Sequence, residues 1–285
     1  MENIRDPAVS GSFYPSNPDV LGDDVRGYLR KAEKEVIEGE IIALISPHAG
    51  YAYSGQVAAY AYKLVEGMDF DDVVVIAPSH QWPFEGASIY RRGGFRTPLG
   101  VVPIDGDMCD EIMALDGRFQ FIPEAHLGEH SLEVQLPFLQ VSLKGYKLVP
   151  IVLMGGANYK ICQSLGKAIS ESMRDRNCLI VASSDLTHSY NYQQVVAQDE
   201  ILARHIDDFD IEGLAEDLRQ ERCQACGEGP ILSAMVAAKT LGGDKGKVLK
   251  LTNSGDVTGD KRSGSYTVGY LAGAFYRAGI RKETH

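Results

Sequence analysis

The chain has 285 residues, with 28 basic against 39 acidic side chains and a formal net charge of −11. That length can bury a large core in one α/β domain as readily as in two. A charge of this sign offers no basic footprint for nucleic acid and no attraction to an anionic membrane, so the expected partner is a small molecule or a peptide.

No apolar stretch approaches the length that crosses a bilayer, and Met1 to Pro7 lack a basic-then-apolar signal layout. Both features predict a cytoplasmic protein. Cys109, Cys162, Cys178, Cys223 and Cys226 are odd in number and scattered, which suits reduced thiols better than a disulfide framework. The oligomeric state is left open, a homo-oligomer included.

In chain order, Arg5 to Ser16 reads as extended structure packed on the body through Val9, Phe13 and Tyr14. Asn17-Pro18-Asp19 starts a helix to about Lys34. Ile41 to Ile45 is an apolar run without alternation, as in a strand covered on both faces, and it stops at Ser46-Pro47-His48-Ala49-Gly50. His48 is thereby placed at a strand's carboxyl end, where open parallel sheets bind ligands. A helix is expected over Gln56–Val65.

Val73 to Ala77 repeats the design and ends in Pro78-Ser79-His80. Neighbouring parallel strands bring such ends side by side, so His80 joins His48 as a candidate. Pro83 to Pro103 reads as an antiparallel insertion or lid, Asp105 to Leu115 as a helix and Phe119 to Ile122 as extended.

His126-Leu127-Gly128-Glu129-His130 formally matches the H-x-x-E-H pattern of zinc peptidases, which requires both histidines on one helix face. Gly128 and Pro123 work against that helix, and the plainer reading has Glu129, His130 and Glu133 at a helix N-terminus. Leu148 to Met154, ending at Gly155-Gly156, is a third strand, and Tyr159 to Met173 an amphipathic helix.

A fourth strand, Leu179 to Ser183, runs into Ser184-Asp185-Leu186-Thr187-His188, the densest polar cluster in the chain. The spacing of Asp185 and His188 suits a carboxylate orienting an imidazole, or two groups sharing a metal or substrate, and equally an Asp cap beside an exposed His. Gln193 to Asp207 and Ile211 to Gln220 are expected helices, with His205 on a solvated face. Cys223-Gln224-Ala225-Cys226 precedes the apolar helix from Ile231 to Ala238. The pair suggests thioredoxin-like redox work or half a zinc site, and a thiol just before a helix start is expected to have a lowered pKa. Val248 to Leu251 and Tyr266 to Tyr276 close the chain as extended segments.

The whole predicts an α/β fold, one domain over residues 1–285 around a mostly parallel central sheet flanked by helices. His48, His80, Asp185 and His188 each follow an apolar strand, and in a doubly wound sheet they can converge with Cys226. Two imidazoles and a thiolate suit iron, copper or zinc rather than magnesium or calcium. Three protein ligands leave positions open for water or substrate, with His188 as acid or base.

Pro7-Ala8-Val9-Ser10-Gly11-Ser12-Phe13-Tyr14-Pro15, Ser46-Pro47-His48-Ala49-Gly50-Tyr51, Ala77-Pro78-Ser79-His80, Glu129 to Phe138, Ser183-Ser184-Asp185-Leu186-Thr187-His188 and Cys226-Gly227-Glu228-Gly229-Pro230 follow one another as in the Memo family. The chain resembles that family, named for a human mediator of ErbB2-driven cell motility, over nearly its whole length. The resemblance implies a fold similar to class III extradiol dioxygenases, the non-haem iron enzymes that open catechol rings. It implies that His48 and His80 match their two metal histidines, that Cys226 stands where they have a Glu, and that His188 matches their acid/base. Asp185 and His130, with Glu129 and Ser184 beside them, would line the pocket. A thiolate in place of the Glu favours copper(I), and iron or copper is the implied metal of a dioxygenase-like oxidoreductase. The alternative is a non-catalytic protein binding a peptide or small anion in the same cleft. Association with radical-SAM and AMMECR-like proteins is a further implication of the family.

Overall fold

Residues 3–154 and 158–279 are described by the computed structural model. Gly155 and Gly156, where the third strand was expected to end in a loop, lie outside them. After a two-residue strand β1 (Ile4–Arg5), helix α1 (Pro18–Lys31) begins as the sequence predicts, with Asn17 accepting from the backbone of Asp19 and Val20 and Pro18 at its first position. Strand β2 (Gly39–Ser46) and helix α2 (Tyr51–Val65) follow. That helix starts five residues before the expected Gln56. Its first turn has no side-chain cap, and the Tyr51 N–H instead donates to the Phe13 carbonyl at 2.8 Å, a distant partner no local pattern reveals.

Strand β3 (Asp72–Ser79) leads to β4 (Ala87–Ile89), β5 (Gly94–Thr97) and β6 (Gly100–Pro103). The segment expected as an antiparallel insertion or lid does pair antiparallel, and it divides between two sheets. β4 joins the main sheet, and the β5–β6 hairpin forms a small three-stranded sheet with β1. Helix α3 (Gly106–Ala114), strand β7 (Phe119–Gln120), the single turn α4 (Glu124–Leu127), a 3-10 turn (Glu133–Gln135) and helix α5 (Leu136–Ser142) come next. The second half contains β8 (Lys147–Met154), α6 (Tyr159–Ser172), β9 (Cys178–Ser183), β10 (His188–Ser189), α7 (Tyr192–Asp208), α8 (Ile211–Arg219) and α9 (Glu228–Thr240). It ends with β11 (Lys245–Asn253), α10 (Ser254–Thr258) and β12 (Thr267–Ala278).

The main sheet runs β10-β12-β2-β9-β3-β8-β4-β7, with β11 also paired to β12. β2, β9, β3 and β8 are parallel neighbours, whereas β12 is antiparallel to β2 and β4 to β8. The sheet is therefore mixed rather than mostly parallel. β11 and β12 are joined by a short segment with no crossover helix long enough to return the chain parallel, so they form a hairpin-like pair.

The central strands alternate their two buried faces. Val74, Ile76, Ile180 and Ala182 pack with α6, α7, α8 and α9, while Val73, Val75, Leu179 and Val181 pack with α1, α2 and α5. Where α6 meets α9, a Cβ on Gly166 would lie 2.6 Å from the Ser233 carbonyl oxygen, so only glycine permits that approach. Among the described residues no helix is long and apolar enough to cross a membrane.

His205 does not sit on a solvated face. Its ring lies between the carboxylates of Asp210, at 3.1 Å, and Asp217, at 3.0 Å, tying α7 to α8. Asp199 of α7 is 3% exposed and accepts the Thr187 N–H at 3.1 Å, fixing the loop between β9 and β10. Burial pushes its carboxyl up to about 7 despite that hydrogen bond. The folded chain therefore holds this proton more tightly than the unfolded chain, and the stabilisation from it is lost as pH rises from about 4 to about 7. Asp199→Asn is expected to flatten the loss of stability between about pH 4 and about pH 7, read from urea unfolding at each pH. An unchanged pH slope would contradict this assignment.

Arg5 and Glu133 form a fully buried ion pair. Glu133 also accepts from the Ala8 and Val9 N–H groups and from Tyr14, so it anchors the N-terminal segment rather than capping its own helix. Arg5 donates further to the carbonyls of His126, at 3.0 Å, and Glu129, at 2.6 Å. Replacing one partner strands the other in a dry interior, so Arg5→Leu is expected to cost roughly 3–5 kcal/mol of unfolding free energy. A measured loss below about 1 kcal/mol, the surface-pair range, would show that the pair is not buried in solution.

Candidate metal centre

The register of β2 on β9 sets Ser46 beside Ser183, and β3 runs on the other side of β9. His48 therefore emerges two residues past Ser46, Asp185 two past Ser183, and His80 one past the end of β3, all at one rim of the sheet.

His48 is buried, and its Nδ1 lies 2.9 Å from Ser183 Oγ. That hydroxyl has one proton, which it gives to the Ser131 carbonyl at 2.7 Å, and it also accepts from Gln135 Nε2 at 2.7 Å. Gln135 is oriented in turn by Tyr62, which bonds its Oε1 at 2.8 Å. Toward His48 the serine can only accept, so the proton is assigned to Nδ1 and the lone pair to Nε2. Burial, then the neighbouring His130 and His80, hold the His48 pKa well below the ordinary histidine value and keep the ring neutral. Ser183 and Gln135 were not singled out in the sequence; their positions within the Ser183-Ser184-Asp185 and Glu129 to Phe138 stretches were the only signal.

His80 is fixed by Glu129, whose carboxylate accepts the His80 N–H at 2.6 Å and its Nδ1–H at 2.9 Å. The free nitrogen is again Nε2. Burial works against the charge on Glu129, but hydrogen bonds from His80 and from the Ser131 N–H outweigh it and draw the carboxyl down to about 2. The same contact overcomes the effect of burial on His80 and raises its pKa. A carboxylate gripping the far side of an imidazole orients a ligand and strengthens its donor nitrogen. His130 stacks on His80 with ring centroids 4.8 Å apart and meets His48 edge-on at 5.6 Å, backed by Phe13.

Cys226 arrives from the turn before α9. Its N–H donates to the Asp185 carbonyl at 3.2 Å, and its Sγ lies 3.1 Å from His48 Nε2. A Cβ on Gly227 would fall 2.4 Å from the Ser183 carbonyl oxygen, so glycine is what lets this turn press against β9. The lowered thiol pKa expected from the helix start is not found. Burial, reinforced by the Asp185 charge, pushes the thiol well up, and the helix N-terminus does not compensate. Cys223 is buried and likewise raised, to about 12.

The ligand atoms of His48, His80 and Cys226 all lie within 4.8 Å of one another. Two imidazole nitrogens and one sulfur at this spacing fit a transition metal ion. His188 stands exposed on the wall of the same cleft, its Nδ1 donating to the Leu186 carbonyl at 2.8 Å, so its Nε2 is free.

Asp185 does not orient His188. It is buried and accepts the His48 N–H at 2.8 Å, bracing the loop that carries the candidate ligand, and burial pushes its carboxyl up to about 7. Ser184, expected in the pocket, is buried behind it, donating to the Asp185 carbonyl and accepting from the Gly227 N–H. The H-x-x-E-H reading fails on geometry. His126 is buried in α4 with its Nε2 3.0 Å from Ser88 Oγ, while Glu129 and His130 lie beyond the end of that turn at Leu127.

Similarity to known proteins agrees with the ordered motifs. The chain is 37% identical over 289 residues to a MEMO1 family protein of Methanocaldococcus jannaschii, covering 95% of this chain and 99% of that one. It is 36% identical over 275 residues to a MEMO1 family protein of Nitrosopumilus maritimus, covering 94% and 98%. The crystal structure of an uncharacterized Escherichia coli K12 protein, JW3007, matches with a TM-score of 0.54 at 15% identity over 82% of this chain and 99% of that one, a likeness of fold alone. The family model described as Memo-like protein matches residues 5–274, and the chain belongs to that family.

Proposed function

We propose that the rim cleft binds one redox-active metal ion, iron or copper, on His48 Nε2, His80 Nε2 and Cys226 Sγ, and that the protein is a cytoplasmic oxidoreductase of dioxygenase-like design. The observation that carries this reading is the convergence of three donor atoms within 4.8 Å, two of them lone pairs whose direction is set by Ser183 and Glu129. Soft sulfur with imidazole selects against magnesium and calcium. Such an ion supplies redox capacity and open positions for a small ligand. The chain's own part is to hold the His48 ring neutral and both imidazoles oriented, to keep water from the His48 side, and to present His188 Nε2 to the cleft as a group that takes or gives a proton.

Metal analysis of untagged protein purified without oxygen tests the reading. About one iron or copper per chain is expected, lost in His48→Ala, His80→Ala and Cys226→Ser while far-UV circular dichroism is unchanged. Glu129→Gln, which leaves the three donors in place, is expected to weaken metal affinity about 10–100-fold. Metal retained by all three ligand variants, or none taken up by the wild type from Fe(II) or Cu(I), would overturn the proposal.

A further inference from the structure

The cleft bearing His80, His188 and Cys226 has a volume of about 630 Å³. A second cavity of about 670 Å³ adjoins it, and Leu218, Arg219 and Glu228 line both. Beyond that neck the second cavity has an apolar wall of Tyr159, Ala215, Leu218 and Leu232.

The neck is one-sided in charge. The Arg219 guanidinium is committed to a two-pronged pair with Glu216, bonding it at 2.8 and 2.5 Å. Glu228, half-buried at the first position of α9, has no ion pair and no side-chain hydrogen bond among the described residues. Partly removed from water and without a donor, it is completed by a cation that brings its own hydrogen bonds.

We infer that the two cavities form one binding site for a protonated amine with an apolar substituent, the ammonium seated on Glu228 and the substituent lying along Tyr159, Ala215 and Leu232. Glu228 follows Cys226 by two residues and also lines the cleft that bears His80 and His188, so the ammonium sits where the two cavities meet. The amine subsite stands without the metal proposal.

The test uses metal-free, full-length protein in chelator and isothermal titration with n-octylammonium, 1-octanol and octanoate. Octylammonium is expected to bind about tenfold or more tightly than octanol, as one charge-assisted hydrogen bond requires, with octanoate weakest. Glu228→Gln should abolish the preference for ammonium while octanol binding survives, and Ala215→Phe should weaken both probes by filling the apolar cavity. Equal affinity for ammonium and alcohol, a preference that persists in Glu228→Gln, or no binding of any probe would overturn the inference. Metal uptake by the wild type before chelation, measured on a separate aliquot, separates the two readings. Wild type that takes up no metal, yet whose chelated form prefers ammonium, fails the metal proposal alone, and wild type that takes up metal, yet whose chelated form shows no preference, fails this one alone.

Discussion

The site depends on the register of three adjacent parallel strands. Once Ser46 is paired with Ser183 and β3 is paired to the other side of β9, the residues just past each strand have nowhere to go but one rim. A one-residue slip would turn the alternating buried faces of these strands inside out, so the core enforces the register and the register places His48, Asp185 and His80. Cys226 is the exception. It comes from the far half of the chain and reaches the rim because Gly227 lets the α9 turn dock against Ser183 and Ser184.

Around the donors the interior is unusually polar for the end of a buried sheet. Glu129, Glu133, Gln135, Ser183 and Asp185 are all buried, and each has its hydrogen bonds made within the chain. Such networks are costly when incomplete and rigid when complete. Here they run in two linked chains. Tyr62, Gln135 and Ser183 lead to His48, and Arg5 reaches the loop carrying Glu129, which leads to His80. The N-terminal segment, tied down by Glu133, supplies Phe13 behind His130. Rigid donors held ready by a second layer of hydrogen bonds are what a binding site for a transition metal requires.

Much of this was legible in the sequence, and the reasons differ by residue. His48 and His80 were readable because each follows an unbroken apolar run closed by proline, a local pattern with one structural meaning. Helix α1 was readable because Asn17 and Pro18 are local signals. The role of Glu129 was not, since nothing in sequence says that a residue beside His130 grips His80, 49 positions earlier. The spacing of Asp185 and His188 leaves a shared site and a cap beside an exposed His equally open, and the fold hands Asp185 to the backbone of His48. The mixed sheet escaped notice because strand direction depends on connections, and both parallel and antiparallel buried strands look alike as apolar runs. The thiol of Cys226 was judged from the helix beside it, whereas burial governs its acidity.

The central claim is that sulfur and two imidazoles share one ion, and X-ray absorption at the metal edge of the iron- or copper-loaded protein tests it most directly. The account predicts one sulfur scatterer and two imidazole shells in the wild type, with the sulfur replaced by a lighter atom in Cys226→Ser. A spectrum with only oxygen and nitrogen neighbours, unchanged by that substitution, would contradict it.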